Sequence, residues 1–168
     1  MDRRHTPRIP TFDYQGTFRY SWTICTHLRR RVFASRDVTA TVTSQFLHAS
    51  EVCDVAVLAY CFMPDHVHLL IEGEREVSCA THYVSRAKQI SGYWFKKRTG
   101  QRLWQRTSWD RVLRRDDDWL EVSRYILANP VRAGLVQQPL DYPYSGSFVY
   151  KREELMDAFW GHTAGPAG

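Results

Sequence analysis

The sequence lacks several features that would assign it to a membrane or secreted class. None of its apolar runs approaches the roughly 18 residues that a membrane-spanning helix needs. The first residues lead into prolines rather than into the apolar core of a signal peptide, and neither an internal repeat nor a low-complexity segment is present. We therefore expect a soluble protein without a membrane partner, located in the cytoplasm.

Cysteines in close pairs are also lacking. The four cysteines, Cys25, Cys53, Cys61 and Cys79, show neither the CxxC spacing of a redox motif nor the paired spacing of a zinc ribbon. The sequence therefore predicts free, mostly buried thiols in a reducing compartment.

The composition is that of a folded and basic protein. The chain has 168 residues, of which 43% are hydrophobic and 14% aromatic, and this is enough to bury the core of one domain. The formal net charge is +5, and this favours a polyanionic partner without establishing one. We divide the chain into a flexible basic arm (residues 1–17), one domain (18–150), and a C-terminal helix with a disordered tail (151–168).

Hydrophobic periodicity predicts an α+β domain. Asp37 and Asp118 are expected to cap helices, and Gly100 is expected to end one. The order of elements favours a sandwich in which an antiparallel sheet carries helices on one face and leaves the other face for a site. The pattern predicts strands over residues 18–27, 55–63, 66–72 and 108–114, and helices over residues 38–49, 78–98, 118–128 and 152–159.

Two histidines on one predicted strand are the first candidate site. His66 and His68 are separated by one residue, so their side chains lie on the same face of a strand, while Val67 points to the other face. A single histidine in a strand is usually structural. Two on one face need two sets of hydrogen-bond partners if they are buried, and imidazole is the commonest metal ligand. The pair therefore predicts a metal site.

A tyrosine and an asparagine on the predicted third helix are the second candidate. Tyr125 and Asn129 are four residues apart and so adjacent on a helix, at one edge of its apolar stripe. Each alone would be interpreted as a packing residue or a helix stop. Together with the imidazoles, an amide oxygen can complete a site for a divalent cation, and a phenol can attack a phosphodiester that the cation polarises.

Three motifs together resemble the REP-associated tyrosine transposases, which belong to the HUH single-tyrosine transposases. The resemblance extends over about residues 15–150, with the motifs in the same order and at similar spacing. The motifs are residues 60–70 (YCFMPDHVHLL), 103–105 (LWQ) and 123–136 (SRYILANPVRAGLV).

The resemblance implies a ferredoxin-like or RRM-like fold and a specific chemistry. His66, His68 and Asn129 match the ligands of Mg²⁺ or Mn²⁺, and Tyr125 matches the nucleophile. Members of the family cut single-stranded DNA near imperfect hairpins through a 5′-phosphotyrosine intermediate, without a nucleotide cofactor. The kinship also implies a bacterial, nucleoid-associated protein that is a monomer or a homodimer.

The match has two gaps that leave the DNA target open. Gly146 stands where a second serine is common in the family, and residues 1–17 contain no recognisable base-reading side chain. We predict DNA contacts only from two basic clusters, which are Arg29, Arg30, Arg31, Lys96, Lys97 and Arg98.

Two other functions compete with this interpretation. A histidine-triad phosphohydrolase would need a third histidine at the next alternate position, where this chain has Leu70. A hairpin-binding protein without catalysis could use the same sheet, but it would need neither the histidine pair nor Tyr125.

Overall fold

The computed structural model describes residues 13–115 and 117–161. The strands are β1 (Arg19–Cys25), β2 (Val55–Met63), β3 (His66–Gly73), β4 (Trp109–Val112) and β5 (Ser145–Gly146). The helices are α1 (Arg36–Val52), α2 (Ala80–Thr99), α3 (Trp119–Leu127), α4 (Asn129–Arg132) and α5 (Arg152–Trp160).

The five strands form one antiparallel sheet in the order β4-β1-β3-β2-β5. The first four strands and the first two helices follow one another as βαββαβ, and β3 is the central strand. This is the topology of a ferredoxin-like sandwich, so the predicted fold class is confirmed.

One face of the sheet is covered by α1 and α2. Alternate residues of β1 and β3 point into this layer, and aromatic side chains fill it. Phe46 of α1 is fully buried, and its ring lies 5.5 Å from Phe62, 5.8 Å from Trp104 and 6.4 Å from Tyr83, measured between centroids. Tilted and edge-on contacts of this kind stabilise a core beyond the effect of area burial alone.

The opposite face is not free of helices, which corrects the expected arrangement. Ile126 and Leu127 of α3, with residues of α5, pack against Leu70, Cys61 and neighbouring residues of the sheet. A bulge between Val57 and Ala59 shifts the alternation of β2, and the strand has buried side chains on both faces. A strand that is apolar on both faces requires cover on both.

Two of the three predicted helix-terminal residues, Asp118, Gly100 and Asp37, are confirmed. Asp118 caps α3, because its Oδ1 accepts a hydrogen bond from the backbone N–H of Leu120 at 2.9 Å. Gly100 ends α2 in a left-handed conformation with φ of +73°. Asp37 does not cap α1; Ser35 does so two residues earlier, and both residue types are good N-caps.

Strand β5 and the one-turn helix α4 were not predicted from the sequence. In β5, Gly146 pairs with Tyr60. A Cβ atom at position 146 would come within 3.2 Å of the Tyr60 hydroxyl oxygen. The glycine that departs from the family pattern therefore leaves space for the Tyr60 side chain.

The predicted arm and tail lie mostly outside the described residues, which exclude 1–12, 116 and 162–168. The described end of the arm is packed rather than loose. Tyr14 is buried, its ring stacks on Tyr20 at 5.6 Å between centroids, and its hydroxyl donates to Asp110 at 2.6 Å. The folded domain therefore begins before residue 18.

Two smaller expectations concern cysteines and the membrane. All four cysteines are free, and all but Cys79 are buried, as predicted. Among residues 13–115 and 117–161, none of the helices has the length and apolarity of a transmembrane segment.

We predict that Phe46→Ala lowers the free energy of unfolding by about 3–5 kcal/mol, because it leaves a cavity among three aromatic rings. Leu47→Ala is the matched control on the same helix; Leu47 is 37% exposed, and its truncation should cost less than about 1 kcal/mol. Urea denaturation of both variants measures the difference. Equal losses would contradict the assignment of Phe46 to the centre of this core.

Candidate metal and nucleophile site

The pairing of β3 places both imidazoles on the face that α3 covers. His66 lies opposite Cys25 of β1 and Met63 of β2. His68 lies opposite Thr23 and Cys61 in the same way. The predicted alternation is therefore observed, and the two rings are neighbours with their centroids 4.6 Å apart.

Each imidazole is anchored through Nδ1, and the two Nε2 atoms face each other. His66 Nδ1 donates to Asp65 Oδ1 at 2.6 Å, and His68 Nδ1 lies 2.9 Å from Thr23 Oγ1. The two Nε2 atoms are 3.0 Å apart. A hydrogen bond from Nδ1 to an oxygen orients the ring and leaves Nε2 for a ligand, which is the usual arrangement of metal-binding histidines.

Asp65 is itself held by a second partner. Arg29 Nε donates to Asp65 Oδ2 at 3.0 Å, and Arg29 Nη1 donates to the sulfur of Cys25 at 2.7 Å. The arginine lies in a tight turn after β1 and is brought to the carboxylate by the pairing of β1 with β3. A continuous polar chain therefore runs from Cys25 through Arg29 and Asp65 to His66.

The environment of His66 favours its neutral form. Burial lowers the pKa of His66 below its ordinary value, although the hydrogen bond and charge of Asp65 act in the opposite direction. A neutral imidazole with its proton on Nδ1 has a lone pair on Nε2. This is the state that a metal ligand requires.

The donor set fits a divalent cation. Two adjacent ligands of an octahedral ion with bonds of about 2.1 Å are about 3.0 Å apart, and the two Nε2 atoms have this separation. No group of three or more His, Cys, Asp or Glu residues suited to a metal occurs in the described part of the chain. Further ligands would then be an amide oxygen or water, and the predicted role of Asn129 is compatible with this.

Tyr125 and Asn129 lie at the end of α3, which packs on β2 and β3. Tyr125 is 42% exposed. Asn129 opens α4, and its Nδ2 donates to the backbone oxygens of Ile126 at 3.2 Å and Tyr125 at 3.4 Å. These bonds fix the orientation of the amide group.

Arg132 links the tyrosine to the asparagine. Its Nη2 donates to Asn129 Oδ1 and to the backbone oxygen of Tyr125, both at 2.9 Å. Its guanidinium carbon lies 3.8 Å from the centroid of the Tyr125 ring. The side chains of Tyr125, Asn129 and Arg132 therefore form one cluster.

The predicted DNA-contacting residues have different surroundings. Arg29 is part of the histidine site. Arg30 donates to Gln101 Oε1 and to the backbone oxygen of Arg102, which attaches the turn after β1 to the loop after α2. Arg31, Lys96, Lys97 and Arg98 are exposed, with Lys97 and Arg98 over the rings of Tyr93 and Trp94.

Sequence reasoning missed four residues that belong to the site. Asp65 lies inside the first motif, directly before His66. Arg132 follows Asn129 by three residues on the same helical face. Both residues could therefore have been predicted from their neighbours in the sequence. Thr23 and Cys25 could not, because only the register between β1 and β3 brings them to the histidines.

Sequence comparisons match this chain to known proteins. The family model described as IS200-like transposase matches residues 15–113. A protein of Haemophilus influenzae assigned as a REP-associated tyrosine transposase is 30% identical over 115 residues, which are 62% of this chain and 65% of that protein. The REP-associated tyrosine transposase of Escherichia coli K12 is 30% identical over 90 residues, which are 52% of this chain and 51% of that protein. The chain thus spans between half and two thirds of these curated relatives.

Solved structures support the fold. A REP-associated tyrosine transposase bound to a REP hairpin superposes with a TM-score of 0.67 and 18% identity, over 83% of this chain and 82% of that one. A Deinococcus radiodurans protein assigned as a transposase superposes with a TM-score of 0.51 and 18% identity, over 68% of this chain and 92% of that one. At this identity the likeness concerns the fold alone.

We predict that Asp65→Asn weakens binding of Mn²⁺ by about 10- to 100-fold, because it removes the charge that orients His66 and holds its proton on Nδ1. The measurement is a Mn²⁺ titration followed by electron paramagnetic resonance. Asp54→Asn is the control, since Asp54 pairs with Arg75 at the opposite end of β3. Unchanged affinity in Asp65→Asn would contradict the role given to the carboxylate.

Proposed function

Because this chain belongs to the IS200-like transposase family, we propose that it is a metal-dependent single-stranded DNA endonuclease and strand transferase. It would act at hairpin repeats in DNA transposition, with Tyr125 as the nucleophile. The observation that carries this proposal is the pair of anchored imidazoles with their Nε2 atoms 3.0 Å apart, on the sheet face that α3 covers.

His66 and His68 would hold Mg²⁺ or Mn²⁺ through Nε2, and Asn129 would complete the set through Oδ1. The bound cation supplies Lewis-acid polarisation of the phosphodiester. Imidazole is a commoner ligand for transition metals than for Mg²⁺, and Mn²⁺ is therefore the more informative probe. The side chains of Asp65 and Thr23 keep the two rings oriented throughout.

The reaction of Tyr125 is a transesterification. Its phenol oxygen bonds to phosphorus while the bond from phosphorus to the 3′ oxygen breaks, and the tyrosine then carries the 5′ phosphate. The phenol gives up one proton and the leaving 3′ oxygen takes up one, so the step is balanced without a cofactor. Attack by another 3′ hydroxyl reverses it and joins strands, because the phosphotyrosine conserves the energy of the broken bond.

A basic groove provides a path for the DNA. It has a volume of about 420 Å³ and lies between α2 and residues 102–106. One wall of the groove borders the end of β1 that pairs with His66, because the backbone N–H of Gln105 donates to the carbonyl oxygen of Cys25. Its charged lining residues in the described part of the chain are all cations: Lys88, Lys96, Arg102 and Arg106. Such a surface attracts the phosphate backbone.

A hairpin-binding protein without catalysis remains the alternative, and one substitution separates the two functions. We predict that Tyr125→Phe abolishes the covalent adduct with end-labelled hairpin DNA, taken from the repeats that flank the gene of this protein, because it removes the oxygen that would attack phosphorus. Hairpin affinity should stay within about twofold, since a hydroxyl on an exposed ring contributes little to phosphate contacts. A denaturing gel with Mn²⁺ shows the adduct.

The matched control is Tyr150→Phe, which changes an exposed tyrosine outside the groove and should form the adduct normally. His66→Ala should bind the hairpin but form no adduct. An adduct formed by Tyr125→Phe would show that another residue is the nucleophile. Hairpin binding by the wild type, with no adduct in either Mg²⁺ or Mn²⁺, would favour the non-catalytic alternative.

The groove has its own test in the salt dependence of binding. We predict that the double variant Lys96→Met/Arg102→Met binds hairpin DNA more weakly and lowers the slope of log K against log salt by about 2, if each side chain neutralises one phosphate. The control is Arg75→Met/Arg152→Met, which removes the same charge from outside the groove and should leave the slope unchanged. Equal slopes in the two double variants would exclude the groove from the DNA contact.

A further inference from the structure

Arg132 has no assigned role in this chain, and its position is unusual for an exposed arginine. It is the last residue of α4 and lies one helical turn beyond Asn129. Arginines on helix surfaces are commonly solvated or paired with a carboxylate. Within residues 13–115 and 117–161, Arg132 forms no ion pair with Asp or Glu and instead contacts Tyr125 and Asn129.

The guanidinium group is held in one orientation by three contacts. It lies over the Tyr125 ring at 3.8 Å, well inside the distance of a cation–π interaction. Its Nη2 donates both to Tyr125 O and to Asn129 Oδ1. An arginine that is stacked and doubly bonded has lost most of its conformational freedom before a substrate arrives.

The held guanidinium still has N–H groups to offer. All its hydrogen bonds to the described residues use Nη2, and the side chain is exposed. Its Nε and Nη1 groups are therefore open to a ligand. Two adjacent N–H groups of a planar guanidinium match two oxygens of a phosphate.

The charge of Arg132 also reaches the sheet beside the histidines. Burial raises the pKa of the Cys61 thiol to about 12, and the positive charge of Arg132 opposes this rise. Cys61 is the cross-strand partner of His68. The charge of Arg132 therefore acts on the strand next to the one that carries the predicted metal ligands.

We propose that Arg132 is a catalytic residue that binds the non-bridging oxygens of the phosphodiester attacked by Tyr125. This inference rests on the proposed function. In the transfer step the bond from Tyr125 Oη to phosphorus forms, the bond to the 3′ oxygen breaks, and one proton passes in net from the phenol to the 3′ oxygen. Arg132 keeps its protons throughout and contributes only charge and hydrogen bonds.

The arrangement explains why a guanidinium stands here rather than an ammonium. Stacking on Tyr125 keeps the charge at the nucleophile, and a preorganised donor stabilises the charge that develops on the phosphoryl oxygens. Removal of one such donor in other enzymes lowers the rate by about 10²- to 10³-fold. A planar guanidinium is needed because its Nη2 already donates hydrogen bonds to Asn129 and Tyr125, so that the other nitrogens must donate to the phosphate.

The test compares three variants on two substrates. Arg132→Met removes both the positive charge and the planar set of N–H donors, whereas Arg132→Lys keeps the charge alone. Arg124→Met is the matched control, because Arg124 is also exposed and precedes Tyr125 in α3. The first substrate is the end-labelled hairpin strand with Mn²⁺. The second carries a neutral methylphosphonate at the cleavage position mapped with the wild type, which removes the charge that Arg132 is inferred to contact.

We expect Arg132→Met to slow adduct formation on the phosphodiester by about 100-fold, Arg132→Lys by about tenfold, and Arg124→Met by less than about twofold. On the methylphosphonate substrate, the rates of adduct formation by the wild type and by Arg132→Met should differ by less than about fivefold. Hairpin affinity of Arg132→Met should fall far less than its adduct rate, because Arg132 is one of several cations at the DNA, and its thermal unfolding should match that of the wild type.

Three outcomes would overturn the inference. A wild type that forms no adduct overturns it together with the proposed function. An adduct rate in Arg132→Met equal to that of the wild type overturns it alone. A loss that is the same on both substrates assigns Arg132 to the folding of α3 and α4 instead.

Discussion

The pairing of β3 on both of its edges is the constraint on which the site depends. Side chains of a strand alternate, so a shift of one residue would turn both imidazoles into the layer under α1 and α2. The register holds because Val67, Leu69 and Ile71 are fully buried on that other face. The core on one side of the sheet therefore determines the position of the histidines on the other.

Around this strand, polar contacts convert two neighbouring histidines into an oriented pair. Asp65 is held by Arg29 and in turn fixes Nδ1 of His66, while Thr23 serves His68 from the adjacent strand. The third helix then brings a tyrosine and an asparagine onto the same face through the packing of Ile126 and Leu127. The site combines a rigid sheet with one helix end, and Arg132 lies where the two meet.

Local sequence patterns predicted the structural features that depend on interactions between residues close in the chain. The limits of β2, the start of β3 and the Asp118 cap agree with the prediction, because strand alternation and N-cap chemistry act over a few residues. The helical cover on the second face could not be deduced in this way, since the bulge after Val57 changes which residues of β2 face it.

The role of Arg29 was missed for a similar reason. Inside a run of three arginines it has the pattern of solvated surface, and its partner Asp65 is 36 residues away in the chain and close only through the register of β1 and β3. The candidate site residues themselves were predicted by spacing and by resemblance. Their metal ligation and nucleophilic roles stay predictions.

The most direct test of the account is to locate the covalent bond. The protein is incubated with single-stranded hairpin DNA and Mn²⁺, the complex is digested with a nuclease and a protease, and the modified peptide is sequenced by mass spectrometry. The account predicts a 5′-linked nucleotide on Tyr125, and none when the metal is chelated. A nucleotide on another residue, or an adduct that forms equally without metal, would contradict it.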